Sequence, residues 1–221
     1  MSAASAPRRW PWPLALAAFA ATGALWVVPG LPFPWRGALV ALVVLALTWL
    51  EHRSLRPLGL DWPWPRRTLP LMLGAFVLLE LVMDLLVQPG IAAATGEPTD
   101  YSAFAALEGN APLALRYLWG MWISAAIAEE LYFRGQAFRM AEYLPASIRT
   151  PLAVVGSAAL FAAPHAYQGI SGLLATFAFG LGFAAIFLAS RRNLWVAIGA
   201  HGLVDTLFLL LAYTGNLSWY A

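Results

Sequence analysis

Seven apolar stretches, near residues 13–29, 36–51, 70–88, 113–138, 150–167, 170–189 and 194–213, constrain this chain more than any other feature. Each is long enough to cross, or nearly cross, about 30 Å of hydrocarbon. Backbone in lipid must satisfy its hydrogen bonds within the segment, and runs this uniformly apolar are too long for barrel strands. The expected fold is therefore all-α: a polytopic transmembrane helical bundle of about seven spans.

Composition agrees. The chain of 221 residues is 61% hydrophobic and only 11% charged, and its mean hydropathy of +0.70 lies outside the soluble range. All 13 basic residues are arginine, and the net charge is only +2, so no basic face for nucleic acid is expected. The absence of cysteine removes a disulfide framework, a thiol nucleophile and a thiolate metal site. Arg8 and Arg9 before an apolar stretch resemble a signal peptide, but the run from Pro13 to Val28 is about span length and further spans follow, so retention is expected.

The arginines set an orientation. With the N-terminus in the cytoplasm, the cytoplasmic segments hold Arg8, Arg9, Arg53, Arg56, Arg66, Arg67, Arg139, Arg149, Arg191 and Arg192, and only Arg36 falls in an external loop. Trp10, Trp12, Trp35, Trp62, Trp64, Trp195 and Trp219 lie near span ends, where they serve as interfacial anchors. The segment from Gln88 to Pro112 reads as an external, solvated connection, with a lid over a substrate entrance as the alternative. His52, at a cytoplasmic edge, is expected to be solvated. The chain divides into N-terminal spans and loops over 1–112 and a core over 113–221 that carries the polar motifs.

A charge at the bilayer centre costs on the order of 3 kcal/mol, so ionisable residues within spans need partners and mark function. The fourth span holds Glu129, Glu130 and Arg134, the fifth His165, and the seventh His201 and Asp205. Residues four apart share a helix face, so Glu130 pairs with Arg134 in the favourable order, acid before base. Adjacent residues diverge by about 100°, which leaves Glu129 free as a general base toward water. By the same spacing Phe161 shares a face with His165, and His201 with Asp205. Pro164 removes a backbone donor and is expected to kink the fifth span, freeing the Leu160 carbonyl and aiming the His165 ring. A neutral imidazole can donate to an oxyanion, and Asp205 can orient a ring or an attacking water. Glu80 and Asp84, one turn apart on the third span, either line the same cavity or pack structurally.

The order E-E-x-x-x-R (Glu129, Glu130, Arg134), F-x-x-x-H (Phe161, His165) and H-x-x-x-N/D (His201, Asp205) on successive spans resembles the CPBP family, which includes the type II CAAX prenyl endopeptidases. The likeness covers about residues 113 to 210. It implies a glutamic-type intramembrane protease in which Glu129 activates water, Glu130 and Arg134 hold its geometry, and His165, His201 and Asp205 bind water and stabilise the oxyanion. Asp205 stands where some members carry asparagine. The usual intramembrane serine and site-2 signatures, GxSG and HExxH, are expected to be absent; a metal-free reaction is preferred, since no HExxH places two imidazoles on one helix, and were zinc bound, Glu129, His165 and His201 would be its ligands. The implied partner is a membrane-anchored protein or peptide in a bacterial inner membrane, processed by maturation or by removal of a C-terminal sorting signal. Two other functions compete: a non-enzymatic immunity or scaffold protein of the same fold, and a proton-relay transporter, against which the few charges in spans one, two and six argue.

Overall fold

Each apolar stretch is helical over most of its length in the computed structural model, which describes residues 9–61 and 65–220. Among these residues there is no strand. The order is α1 (Trp12–Ala24), α2 (Trp35–His52), α3 (Pro65–Val82, continued by a π-turn over Met83–Val87), α4 (Gln88–Thr95), α5 (Ala111–Met121), a π-helix (Trp122–Gln136), α6 (Ala137–Ala141), α7 (Ala146–Ala162), α8 (Gly169–Ala189) and α9 (Leu194–Tyr213). Arg8, Trp62 and Trp64, which entered the orientation and anchoring arguments, lie outside the described residues.

Four helical runs among the described residues are long and apolar enough to cross a membrane: Trp35–His52, Arg66–Thr95, Ala146–Ala189 and Leu194–Tyr213; Trp12–Val27 is apolar but shorter. The third run is a hairpin. Gly169 adopts the left-handed region at φ 77°, and beyond it α8 returns along α7 so closely that a Cβ at Gly180 would lie 2.9 Å from the Ala158 Cα. Apolar side chains cover the outside as well as the core: Leu78 on α3 is 65% exposed and Leu86 69%. Such a surface requires lipid rather than water as its solvent, and the chain is a polytopic integral membrane protein. Trp12, Trp35 and Trp219 are exposed as interfacial anchors should be, whereas Trp195 packs against the core.

Charged residues from four segments gather at one end of the bundle. Arg139 donates to Glu51, to Thr48 at 3.0 Å and to His52 Nε2 at 2.8 Å. Glu142 accepts from Arg9 at 2.7 Å and from Arg192 at 3.0 Å. The Trp10 amide donates to Glu51 at 3.0 Å. His52 is therefore not solvated as expected; its side chain is 10% exposed because Arg139, beside apolar helices, finds its acceptors in Glu51, Thr48 and the ring itself.

The opposite end is closed by the segment read as a solvated connection. The Asp100 amide donates to the Gln168 carbonyl at 3.1 Å and the Gly109 amide to Tyr213 at 2.9 Å. The Tyr101 and Phe104 rings sit 5.3 and 4.8 Å from Phe208. Hydrogen bonds from the Ser102 hydroxyl and amide hold the Asp100 carboxyl below the usual carboxylate range. Tilted and edge-on packing of these rings against Phe208 of α9 makes this stretch a roof rather than a loose loop.

Small residues let the central helices approach, which matters because lipid supplies no hydrophobic drive between them. Gly37 seats α2 on the π-helix, and a Cβ there would lie 2.5 Å from the Ser124 Cα. Gly37→Ala should force the two apart at a cost of about 1–3 kcal/mol. Thermal unfolding in detergent should show a midpoint several degrees lower, and an unchanged midpoint would contradict this packing.

Candidate functional site

The fourth span changes from α to π winding at Trp122 and keeps it for 15 residues. The wider turn brings Glu129 and Glu130 closer in angle than an α-helix does, and π-turns are found mostly where function demands such placement. The expected separation of the two acids is corrected accordingly: both reach the same imidazole. Glu130 Oε1 accepts from His201 Nδ1 at 2.9 Å. Glu129 Oε2 and Asp205 Oδ2 lie 3.9 and 3.8 Å from the other ring nitrogen, Nε2.

Beneath this layer Glu130 pairs with Arg134 Nη1 at 2.9 Å, as the four-residue spacing requires, with both side chains fully buried. Arg134 Nη2 donates to the Gly180 carbonyl at 3.0 Å, and the guanidinium lies over the rings of Phe161 and Phe183, 4.7 and 5.2 Å from their centroids. A buried cation thus has an anion, a carbonyl and two π faces around it, which offsets the cost of taking it out of water.

Glu129, His165, His201 and Asp205 line one cavity of about 480 Å³, roofed by Tyr101 and Phe104. Phe161 stands between the imidazoles, 5.6 Å from His165 and 5.7 Å from His201. Pro164 acts differently from the expected kink. The α7 helix ends at Ala162 and tightens into a 3₁₀ turn over Ala163–Gln168 with Pro164 in its first turn, where the missing backbone donor is tolerated. His165 Nδ1 then bonds to the Phe161 carbonyl at 3.1 Å, rather than to a group freed at Leu160. With Nδ1 donating there, Nε2 of the neutral ring accepts, and it donates only when the ring is cationic.

Glu80 and Asp84 do not line this cavity. Asp84 accepts from Gln88 at 3.0 Å and from Trp219 at 3.4 Å, so it ties the π-turn after α3 to the C-terminal 3₁₀ turn over Leu217–Tyr220. The expected absence of the GxSG signature of intramembrane serine peptidases is corrected: Gly169-Ile170-Ser171-Gly172 matches it. Ser171 is not placed as a nucleophile here: its hydroxyl is 2.6 Å from Thr95 Oγ1, donates to the Glu97 carbonyl at 2.7 Å, and does not line the cavity that holds the two imidazoles. Glu129, His165 and His201 do not converge as ligands, and among the described residues no group of three or more acids and histidines has the geometry to hold a metal ion.

Two contributors escaped the sequence. Phe183 stacks on His201 at 4.4 Å and 20°, but with Phe179 and Phe187 it reads as one ordinary aromatic stripe on an apolar helix. Ser124 lines the cavity beside Glu129, and its place five residues before that acid is informative only once the π winding is known.

Fold and site together define a helical membrane protein with a polar pocket built from three of its helices. Residues 111–207 match the family model of the type II CAAX prenyl endopeptidase Rce1-like proteins, a family of proteases, and this match supports the likeness that the motif order implies. No curated protein and no solved structure gave a significant match.

Proposed function

We propose that the chain is a glutamic-type intramembrane endopeptidase that cuts a membrane-anchored protein or peptide of a bacterial inner membrane. The observation that supports this most is the convergence of Glu129, His201 and Asp205 at 3.8–3.9 Å, too long for direct hydrogen bonds and suited to one bridging water. In this reading Glu129 takes a proton from that water while the hydroxide oxygen attacks the scissile carbonyl carbon. With their Nδ1 hydrogens already engaged, His165 and His201 stabilise the resulting oxyanion by donating from Nε2 as imidazolium rings, and as the C–N bond breaks Glu129 returns the proton to the amine. Glu130 fixes the His201 ring from its far edge, and Arg134 neutralises Glu130. The reaction needs no cofactor. The catalytic unit is the core over 113–221, and the arginine-bearing end of the bundle faces the cytoplasm.

Comparing protein termini in membranes of cells producing the native chain or Glu129→Gln tests this reading. New termini within or beside an apolar segment should appear only with the native chain. Identical termini in both strains would sink it.

A further inference from the structure

A second cavity, of about 620 Å³, shares Phe33, Ser124, Glu129 and Phe161 with the first and is lined besides by the α1–α2 connection from Trp26, by Arg36 in the first turn of α2, and by Phe133, Ala163 and Pro164. Arg36 is the cation that the orientation argument left on the opposite side from ten others, and the reaction does not use it. Its Nη1 donates to the Trp26 carbonyl at 3.1 Å, but its Nε is buried without a hydrogen-bond partner, and so is Nε1 of Trp26. Among the described residues no carboxylate forms an ion pair with Arg36. It also stands in the first turn of α2, where no acid accompanies it and where a positive charge adds to the positive end of the helix dipole. Buried donors are almost always satisfied, so two orphaned donors at the lip of one cavity, one of them cationic, call for an anionic acceptor.

We propose that Arg36, with Trp26 Nε1, is a specificity determinant that binds a carboxylate on the substrate segment leaving Glu129 on this side. The two cavities then hold the two halves of one extended peptide, with the scissile bond at the acid they share. The aromatic cavity under Tyr101 and Phe104 takes an apolar half, and the second takes a half bearing either a free C-terminus or an acidic side chain. This rests on the peptidase reading, in which Glu129 marks the reacting bond.

The probes are three fluorescein-labelled, leucine- and alanine-rich peptides of equal length: one with a free C-terminal carboxylate, one amidated, and one amidated with a single internal glutamate. Anisotropy measures their binding to the full chain in phosphatidylcholine nanodiscs, for the native protein, Arg36→Gln, Arg36→Lys and Glu129→Gln. At least one acidic peptide should bind about tenfold more tightly than the neutral one, the worth of a charged hydrogen-bonded contact; which one it is identifies the source of the carboxylate. Arg36→Gln should abolish the preference, Arg36→Lys should keep part of it, and Glu129→Gln should keep all of it. Equal binding of the three peptides, no binding of any, or a preference that survives Arg36→Gln overturns the proposal. So does phosphatidylglycerol that co-purifies with the native chain and not with Arg36→Gln, which would make the anion a lipid headgroup. Mass spectrometry of the same peptides reports cleavage separately, so loss of the peptidase reading is distinguishable from loss of this one.

Discussion

Glu129→Gln, purified and given the membrane-anchored substrate found by terminus comparison, is expected to cleave it about 10²–10⁴-fold more slowly, the range spanned by loss of a general base. The substitution keeps the shape of the side chain and removes its ability to take a proton. Glu129 carries no hydrogen bond to Arg134 or His201 in the structure, and its nearest ionic neighbour is His201 Nε2 at 3.9 Å. Thermal unfolding in detergent should therefore be unchanged. A large drop in the midpoint would recast Glu129 as a structural residue, and full activity would end its role as base.

Glu130→Ala should behave in the opposite manner. It strips the partner from a fully buried guanidinium and from the Nδ1 edge of His201, and breaking a buried pair on one side costs about 3–5 kcal/mol. The variant should unfold at a much lower temperature or fail to accumulate in membranes. Replacing both partners, Glu130→Leu with Arg134→Leu, should recover most of the stability, because neither charge is then left orphaned. Activity should not return with it, since His201 has lost the carboxylate that fixes its ring. Stability measured by thermal midpoint, beside turnover, separates the two roles; a stable and active Glu130→Ala protein would contradict both.

These contrasts show what the residue string discloses and what it hides. The seven apolar stretches dictate helices because they are too long and too uniformly apolar for barrel strands, the other structure that lipid permits, and the four-residue spacing of Glu130 and Arg134 dictates their ion pair. His201 and Asp205 meet for the same reason. The π winding of 122–136 was not legible, because helical periodicity read from apolar residues assumes 3.6 per turn, and near its centre this span mixes acids with Ile127, Leu131, Tyr132 and Phe133. Its consequence, one imidazole bridging both glutamates, was hidden with it. His52 looked solvated because its partner Arg139 lies 87 residues away, and the stretch 97–107 looked like a loop because the ring it packs on, Phe208, belongs to the last long helix. Pro164 was legible as a helix breaker but not as a helix end. Local rules fix local geometry, and contacts between distant segments decide the rest.

The central claim is that Glu129, His201 and Asp205 act through one shared water. A double-mutant cycle on kcat/KM with Asp205→Asn and His201→Gln, Glu129 left intact, tests it most directly. Groups that act as a unit are not additive, so each single variant should be slowed and the double should be little slower than the worse of the two. Losses that multiply would mean that the two residues work independently, and the shared-water account would fail.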